Sequence, residues 1–572
     1  MLDLETTNVH ADATIALPTY SRLLSDNEQS YFLQSRAHGA NDMILETEFR
    51  APAVLVTYSR VSLVWAILRV QHPLLASRVE MEAGNYQSCS FVYTPPPSPT
   101  TTLLQAEACV ELQWRSLDDG AVGAGSPGLG DRKLSSNTLS YIVFQSLAGD
   151  IRPTREYRLF FHFAHCSMDG VAAHLLINAF FALLGGSCVP GQPPRSDDEL
   201  LGLLNSEWAK RWSSTSTFSE NTIPVCAEGR LPELAGQWRT VASKIEHSAR
   251  QKRVIGGHTF PRKQFSTTKN TSQVAVYNVE DTRTILAKCR AARVTMSNAL
   301  FALCSMAWIR LVRNQPHYNP KLPIIIYSAV SLRHLFTSPD DMWQPSPLHP
   351  PHKQLESWAF LAVSYFNAVL PGFIPSSAST SAREAAVMWH RARCVRDQFA
   401  RYSRSPMFIP RVHSTAAERG ERARRFAKED DEALVHARSG GSASALFPSP
   451  SASASTLTSP SPAAPATPSK PPTTPSIALI GLSQLGNLDQ FYDTRLYPSL
   501  DVLYIQGHTR KNKGGMLMFS HTFRGRLALQ LGWDEAGFQP GVVEGFWTEL
   551  DECIREYVID APETGGVAKV KL

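Results

Sequence analysis

The sequence lacks the cysteine pairs that mark structural metal sites and disulfide frameworks. Nine cysteines are spread from Cys89 to Cys553, and none forms a CxxC pair or a Cys/His cluster with metal-ligand spacing. We therefore expect small buried apolar thiols in a reducing compartment, and no bound metal.

Long hydrophobic runs are also missing. The longest, Val171–Leu184 and Ala299–Ile309, fall short of the roughly 18 residues that a membrane span needs. The first five residues, MLDLE, contain no basic segment ahead of an apolar run, so no signal peptide is expected. These absences predict a cytoplasmic protein without a membrane span.

Neither sign of charge dominates the chain. Lysine and arginine number 56 against 51 aspartates and glutamates, and the surplus is dispersed along the sequence. Proteins that bind nucleic acid or a charged membrane usually concentrate basic residues, so neither partner is expected from the composition.

Apolar residues, in contrast, are plentiful enough for a sizeable core, at 43% of the 572 residues. The length suits either three or four domains or one large two-lobed protein. Residues from about 439 to 476 are almost entirely Ser, Pro, Ala, Thr and Gly. Such a segment cannot bury enough apolar surface to offset its ordering entropy, so we predict a disordered insert there.

One motif carries a sharp chemical signal, His165-x-x-x-Asp169-Gly170. An aromatic run typical of a strand, Glu156–Ala164, precedes it, and a predicted helix over Val171–Leu184 follows. A histidine at the end of a strand can leave the sheet and face a channel. Its ordinary pKa near 6.5 keeps it mostly neutral at pH 7, so it can act as a general base.

The other two motif residues are expected to shape the loop. Asp169 precedes the helix, where a carboxylate caps the helix or pairs with an arginine elsewhere. Gly170 allows a close backbone turn. Direct contact between Asp169 and the imidazole is not expected.

The motif, HCSMDG at 165–170, resembles the HxxxDG motif of the chloramphenicol-acetyltransferase-like superfamily, which contains CoA-dependent acyltransferases and peptide-synthetase condensation domains. Fungal secondary-metabolite O-acyltransferases of the trichothecene 15-O-acetyltransferase type are the most similar subgroup. Four other stretches are similar to this superfamily and follow its order: WAILRVQHPLLASRVE (65–80), TILAKCRAARVTMSNALFALCSMAW (284–308), SAVSLRHLF (328–336) and SQLGNLD (483–489).

The resemblance implies an α/β fold of two similar lobes with a central tunnel. It implies a first lobe over residues 1–215, which carries the motif, a connection over residues 216–264, and a second lobe over residues 265–572. An acyl-CoA, expected to be acetyl-CoA, would meet a small-molecule alcohol at the general base His165. Asp169 would be structural and paired with Arg333, in a monomer without a bound cofactor.

Two departures narrow the resemblance. Condensation domains usually have a histidine just before the motif, where this chain has Ala164, which favours an acyltransferase over peptide-bond synthesis. The DFGWG pentapeptide of plant relatives is missing, so the plant subgroup is not expected.

Further candidate residues follow from the chemistry of acyl transfer. The oxyanion formed at a thioester carbonyl needs a hydrogen-bond donor about 3 Å away. The loop around Gly514 carries basic side chains suited to the phosphates of CoA. The candidate oxyanion donors are Ser520, Thr522, Ser483 and Gln484, and the candidate CoA contacts are Arg510, Lys511 and Lys513.

Two other functions stay open from the sequence. One is a condensation-type enzyme that takes its acyl group from a carrier protein. The other is a non-catalytic binding protein with the same fold, which would not need the intact His165 and Asp169.

Overall fold

The computed structural model describes residues 18–115, 131–187, 192–212, 222–232, 236–253, 256–263, 267–316, 318–336, 357–375, 380–438 and 478–560. The insert predicted at about 439–476 lies outside these residues.

The described residues contain helices of very different length, from one turn to 31 residues. The helices are α1 (Asp26–His38), α2 (Tyr58–Gln71), α3 (Pro99–Glu107), α4 (Gly170–Gly185), α5 (Asp197–Trp212), α6 (Ala227–Arg230), α7 (Gln237–Arg253), α8 (Val279–Ala291), α9 (Met296–Val312), α10 (Ser381–Ser403), α11 (Phe408–Arg438) and α12 (Val542–Ile554).

The strands alternate with these helices along the chain. They are β1 (Tyr20–Leu23), β2 (Met43–Pro52), β3 (Arg78–Glu80), β4 (Ser90–Tyr93), β5 (Val110–Arg115), β6 (Ser140–Leu147), β7 (Thr154–Phe163), β8 (Asn270–Val276), β9 (Ile324–Ser331), β10 (Val363–Leu370), β11 (Ile480–Asn487), β12 (Asp501–Thr509), β13 (Met516–Phe523) and β14 (Arg526–Asp534).

The first lobe is built on a five-stranded sheet in the order β12-β2-β7-β6-β5. Its apolar face packs on α2, α4 and α5, with Trp65, Phe161 and Phe180 in the middle of the core. β7 is the central strand of this sheet, and six of its last seven residues are buried. The sheet therefore fixes the place where β7 ends and the motif begins.

The second lobe repeats the plan with a six-stranded sheet in the order β10-β9-β11-β13-β14-β8. β11 runs parallel to both β9 and β13, and the other pairs are antiparallel. Phe301, Trp308 and Phe366 lie in the core between this sheet and the helices α9, α10 and α12. A small sheet, β1-β4-β3, completes the described strands. The α/β fold with two lobes is confirmed; the tunnel between them stays a prediction.

One strand crosses the predicted division between the lobes. β12 belongs to the range 265–572, yet it pairs antiparallel with β2 at the edge of the first sheet, from Asp501↔Arg50 to Thr509↔Met43. A boundary drawn along the sequence therefore does not separate the two sheets.

Two long helices of the second half reach back to the start of the chain. α11 packs along α1, and an ion pair of Arg36 with Asp431 joins them at 2.8 Å. α7, from the predicted connection 216–264, packs on α11 in turn. The N-terminal helix is thus held between the first lobe and elements of the second.

No single helix in the described ranges has the length and apolar composition needed to cross a membrane. Together α8 and α9 reach that length and composition, but they are bent by 96° at the break between them.

Candidate active site

His165 lies two residues beyond the end of β7, in a loop closed by its own backbone. The Ala164 amide still donates to the Leu139 carbonyl at 2.8 Å, and the Ser167 hydroxyl donates to the Ala164 carbonyl at 2.7 Å. These bonds hold the chain in a turn as it leaves the sheet. The ring of His165 is consequently half-buried, while Phe163 is fully buried in the core.

The hydrogen bonding of His165 defines its tautomer. Nδ1 lies 3.0 Å from the carbonyl oxygen of Met168. A carbonyl can only accept, so Nδ1 carries the hydrogen and the neutral ring keeps its lone pair on Nε2. The loop thus presents one nitrogen as a base and uses the other to hold the ring.

The surroundings of His165 favour this neutral form. Burial lowers the pKa of His165 below its ordinary value, and the charge of Arg419 adds to the shift. Backbone hydrogen bonds and the charge of Asp169 oppose it. The imidazole is therefore ready to take a proton at neutral pH.

The face of the imidazole is covered by Tyr31 of α1. The two rings stack with centroids 4.0 Å apart and planes at 27°. The hydroxyls of Tyr31 and Tyr365 are hydrogen-bonded to each other, which joins α1 to β10 of the second lobe. The guanidinium of Arg419, from α11, lies 4.0 Å from the ring of Tyr365 and 5.3 Å from that of Tyr31.

Asp169 ties the motif to the second lobe. Its Oδ1 accepts from the amide of Ala172 at 2.9 Å and so caps α4. Its Oδ2 accepts from Arg333 at 3.0 Å and from the amide of Ala362 at 2.8 Å. With 2% of its surface exposed, this carboxylate is a buried charge that is paired and fully hydrogen-bonded. It bonds to both lobes and makes no hydrogen bond to the imidazole.

Gly170 begins α4 where a strand of the second lobe comes close. A β-carbon at this position would lie 3.2 Å from Cδ2 of Leu485, at the end of β11. The missing side chain therefore lets β11 approach the motif loop.

The structure separates the four candidate oxyanion donors by strand face. Alternation along the regular part of β11 puts Ser483 on the same face as Gly481, whose position lies against Tyr327; beyond Gln484 the register with β13 shifts. Tyr327 packs against Tyr365, whose hydroxyl is hydrogen-bonded to that of Tyr31. Gln484 points to the other face, where it donates to the carbonyl of Ser297 at 3.3 Å. Ser483 is thus the candidate on the side of His165.

Ser520 and Thr522 line a cavity of about 600 Å³ instead. In β13, Ser520 is the register partner of Gln484, and Thr522 donates to Asn487 at 3.3 Å. The cavity lies between these strand ends, α8 and the start of α9. Its other lining residues are Val279, Thr282, Arg283, Leu286, Arg290, Thr295, Met296, Ser297, Gly486, Asn487, Asp489, His521, Gly525 and Leu527.

The cavity borders the motif helix. Gly486, in its wall, follows Leu485, which contacts Gly170. His521, also in the wall, lies close enough to His174 of α4 to help lower the pKa of that buried histidine. The cavity therefore lies next to the start of the helix that carries the motif.

The three candidate CoA contacts have different surroundings. Lys511 is buried, with Nζ bonded to the Thr509 hydroxyl at 2.8 Å, and burial lowers its pKa to about 7. Arg510 is half-buried near Asp42, and Lys513 is exposed. None of the three lines the cavity beside α8 and α9.

Several residues of the site were not predicted from the sequence. Tyr31 and Arg419 lie in helices far from the motif, and no local pattern marks them. Arg283 and Arg290 were not singled out, although their spacing of seven puts both on one face of α8. Among the described residues, no group of three His, Cys, Asp or Glu side chains could hold a metal ion.

Comparison with known proteins identifies the fold. No family model matches the sequence, and no curated protein matches it. Among solved structures, TRI3 trichothecene 15-O-acetyltransferase from Fusarium sporotrichioides aligns with a TM-score of 0.64 at 12% identity, over 94% of this chain and 96% of that one.

Two further structures align over nearly their whole length. Polyketide synthase associated protein 5 from Mycobacterium tuberculosis has a TM-score of 0.51 at 13% identity, over 95% of this chain and all of that one. The condensation domain of the monacolin K polyketide synthase MokA has a TM-score of 0.52 at 10% identity, over 95% and 98%. The chain therefore has the fold of the chloramphenicol-acetyltransferase-like superfamily, as the motif predicted.

Proposed function

We propose that the chain is an acyl-CoA-dependent O-acyltransferase, which transfers an acyl group, expected to be acetyl, to a hydroxyl of a small secondary metabolite. The single observation that carries this proposal is the geometry of His165: a half-buried imidazole whose Nδ1 is held by a backbone carbonyl and whose Nε2 keeps its lone pair. We expect the protein to act as a cytoplasmic monomer.

In the proposed reaction, His165 carries one proton from the acceptor hydroxyl to the leaving thiolate. Nε2 of His165 takes the proton of the acceptor hydroxyl as its oxygen attacks the carbonyl carbon of the thioester. The tetrahedral oxyanion then collapses, the C–S bond breaks, and the leaving thiolate takes the proton from Nε2. The ester and the free thiol leave, and the imidazole is again neutral.

Ser483 is the proposed donor to the oxyanion. It lies on the face of β11 that carries Gly481, toward Tyr327 and the tyrosine pair Tyr365–Tyr31 that covers His165. A preorganised donor at a developing oxyanion commonly contributes about 10²–10³-fold to the rate.

The cavity beside α8 is the proposed place of the donor's anionic part. Arg283 and Arg290 contribute positive charge to its wall, and it adjoins the start of α4. Arginines suit phosphate groups because their guanidinium matches phosphate oxygens with two hydrogen bonds. This assignment replaces the loop of Arg510, Lys511 and Lys513 as the preferred donor contact.

A carrier-protein-bound donor is the second candidate. The condensation domain of a polyketide synthase shares the fold at a TM-score above 0.5, which favours this alternative. The residue before the motif, Ala164, favours a free acyl-CoA instead.

The test is incubation of the purified protein with a panel of acyl-CoAs and of hydroxylated terpenoids and polyketides, with products identified by mass shift. The proposal predicts an acylated product and free CoA in equal amounts. Product only with an acylated carrier protein would favour the second candidate, and no product from either donor would contradict both.

A further inference from the structure

Helix α7 packs against α11 with its polar face. Ser243 is buried against α11, and Glu246 forms an ion pair with Arg411 at 3.0 Å. Two further polar side chains point the same way, His247 and Gln251, each 3.0 Å from a carboxylate oxygen of Glu418 in α11. Surface helices normally bury their apolar stripe, so this orientation is inverted.

The apolar stripe of α7 faces outward. Trp238 is 87% exposed, Ile245 65% and Val241 48%. Their spacing of three, four and seven residues places them on one side of the helix, and the small residues Ala242 and Ala249 share that side. A contiguous exposed apolar patch on a helix marks an interaction surface more often than chance.

Basic side chains flank the stripe. Helical periodicity places Arg239 on one side of it and Lys244 on the other, and both are exposed. The only acidic residue of α7, Glu246, is turned inward onto Arg411. The outer surface of the helix is therefore apolar in the centre and positive at its edges.

We propose that α7 docks the protein on an anionic lipid surface, with Trp238, Val241 and Ile245 inserted at the headgroup boundary. An apolar stripe with tryptophan and flanking Arg and Lys is the composition that interfacial helices use. A second copy of the chain fits less well, because three side chains supply far less than the about 800 Å² per partner of a standard interface. The positive edges complement anionic headgroups.

This docking is peripheral and needs no membrane-spanning helix. It also differs from the expectation drawn from overall charge, because a local arrangement of Arg239 and Lys244 beside an apolar stripe does not show in the composition of the whole chain. The inference rests on α7 alone and does not depend on the proposed reaction.

The test is co-sedimentation of the full chain with vesicles of phosphatidylcholine, alone or mixed with phosphatidylserine. We expect at least tenfold stronger partitioning onto the mixed vesicles. The double variant Trp238→Ser, Ile245→Ser should lose at least tenfold, and Lys244→Gln about fivefold on mixed vesicles only. The matched control is Trp114→Ser, which removes a tryptophan that is 64% exposed on β5 and should change nothing.

Three results would overturn the inference. They are equal partitioning of the native chain onto both vesicle types or onto neither, equal loss in the Trp114→Ser control, and unchanged binding of the double variant. Sedimentation velocity of the same proteins without lipid completes the test: a native dimer that the double variant abolishes would assign the stripe to a second copy of the chain.

Discussion

At the scale of single residues, the proposed reaction depends on the protonation state of His165. Burial lowers its pKa, so the base form persists below pH 6.5. We predict that kcat/KM is flat from pH 7.5 to 6.5 and falls only at lower pH, as the imidazole becomes protonated. The measurement is the pH profile of kcat/KM; a midpoint clearly above 6.5 would contradict the lowered pKa.

The pH profile needs a stability control at each pH. Buried His162 and His174 have pKa values lowered to about 3, so they stay neutral in the folded chain while the unfolded chain binds protons below pH 6.5. Their contribution to folding is therefore complete above pH 6.5 and is lost as the pH falls toward 3. Melting temperatures across the profile separate loss of fold from loss of the base.

The pair of Asp169 and Arg333 yields a prediction on stability. Arg333→Met leaves the carboxylate of Asp169 buried without its cation, which should cost about 3 kcal/mol in the free energy of unfolding. Urea unfolding measures this cost. The control is Arg50→Met, whose ion pair with Glu156 is more than half exposed and should contribute less than about 1 kcal/mol. Equal losses in the two variants would contradict the proposed role.

The motif residues could be predicted from the sequence because they are close together in it. The strand pattern, His165 and the start of the helix all lie within fifteen positions. Together they predict that His165 lies at a strand end and that it can act as a general base. Tyr31 and Arg419 could not be predicted, because they reach the imidazole only after α1 and α11 pack together. No spacing in a single sequence encodes that packing.

At the scale of elements, alternation along β11 distinguishes Ser483 from Gln484, and the other two donor candidates, Ser520 and Thr522 of β13, line the cavity beside α8. We predict that Ser483→Ala lowers kcat by about 10²-fold with little change in the melting temperature, because an oxyanion donor acts in the transition state. Ser520→Ala is the matched control in the neighbouring strand and should leave kcat within a few fold. Steady-state kinetics on both variants measures this, and a larger loss in the control would reverse the assignment.

Most elements with strong periodicity were predicted. The apolar periodicity of Asp281–Arg313 predicts helix with a turn near Arg293-Val294-Thr295, and the structure has α8 and α9 there; Arg293 has a φ of 58° and Thr295 caps the second helix. The pattern of Leu74–Val79 predicts an extended segment, but the chain instead forms a 3₁₀ turn over Pro73–Ala76. Proline fixes the first backbone angle of such a turn, and the apolar pattern alone does not distinguish it from a strand.

At the scale of the whole molecule, β12 makes the two lobes interdependent. We predict that a fragment of residues 1–215 does not fold into a soluble monomer, because β2 loses its partner strand from Met43 to Arg50 and becomes an exposed edge. Solubility and cooperative melting, compared with the full chain, measure this. A fragment that melts cooperatively as a monomer would show that β12 is dispensable.

The exchange of β12 between lobes could not be predicted from its sequence. Its residues Val502–Gln506 look like any buried strand, and which sheet accepts them depends on edges that exist only in the folded chain. The lobed α/β architecture was predictable because the motif and the order of the other stretches define a known fold.

Nε2 of His165 is the proposed base for acyl transfer. The most direct test compares the kcat of the His165→Ala variant with that of the native chain. Both are assayed with the same acyl-CoA and acceptor at pH 7.5, after matched melting temperatures are verified. We predict at least a hundredfold lower kcat for the variant. A correctly folded His165→Ala protein with the native rate would contradict it.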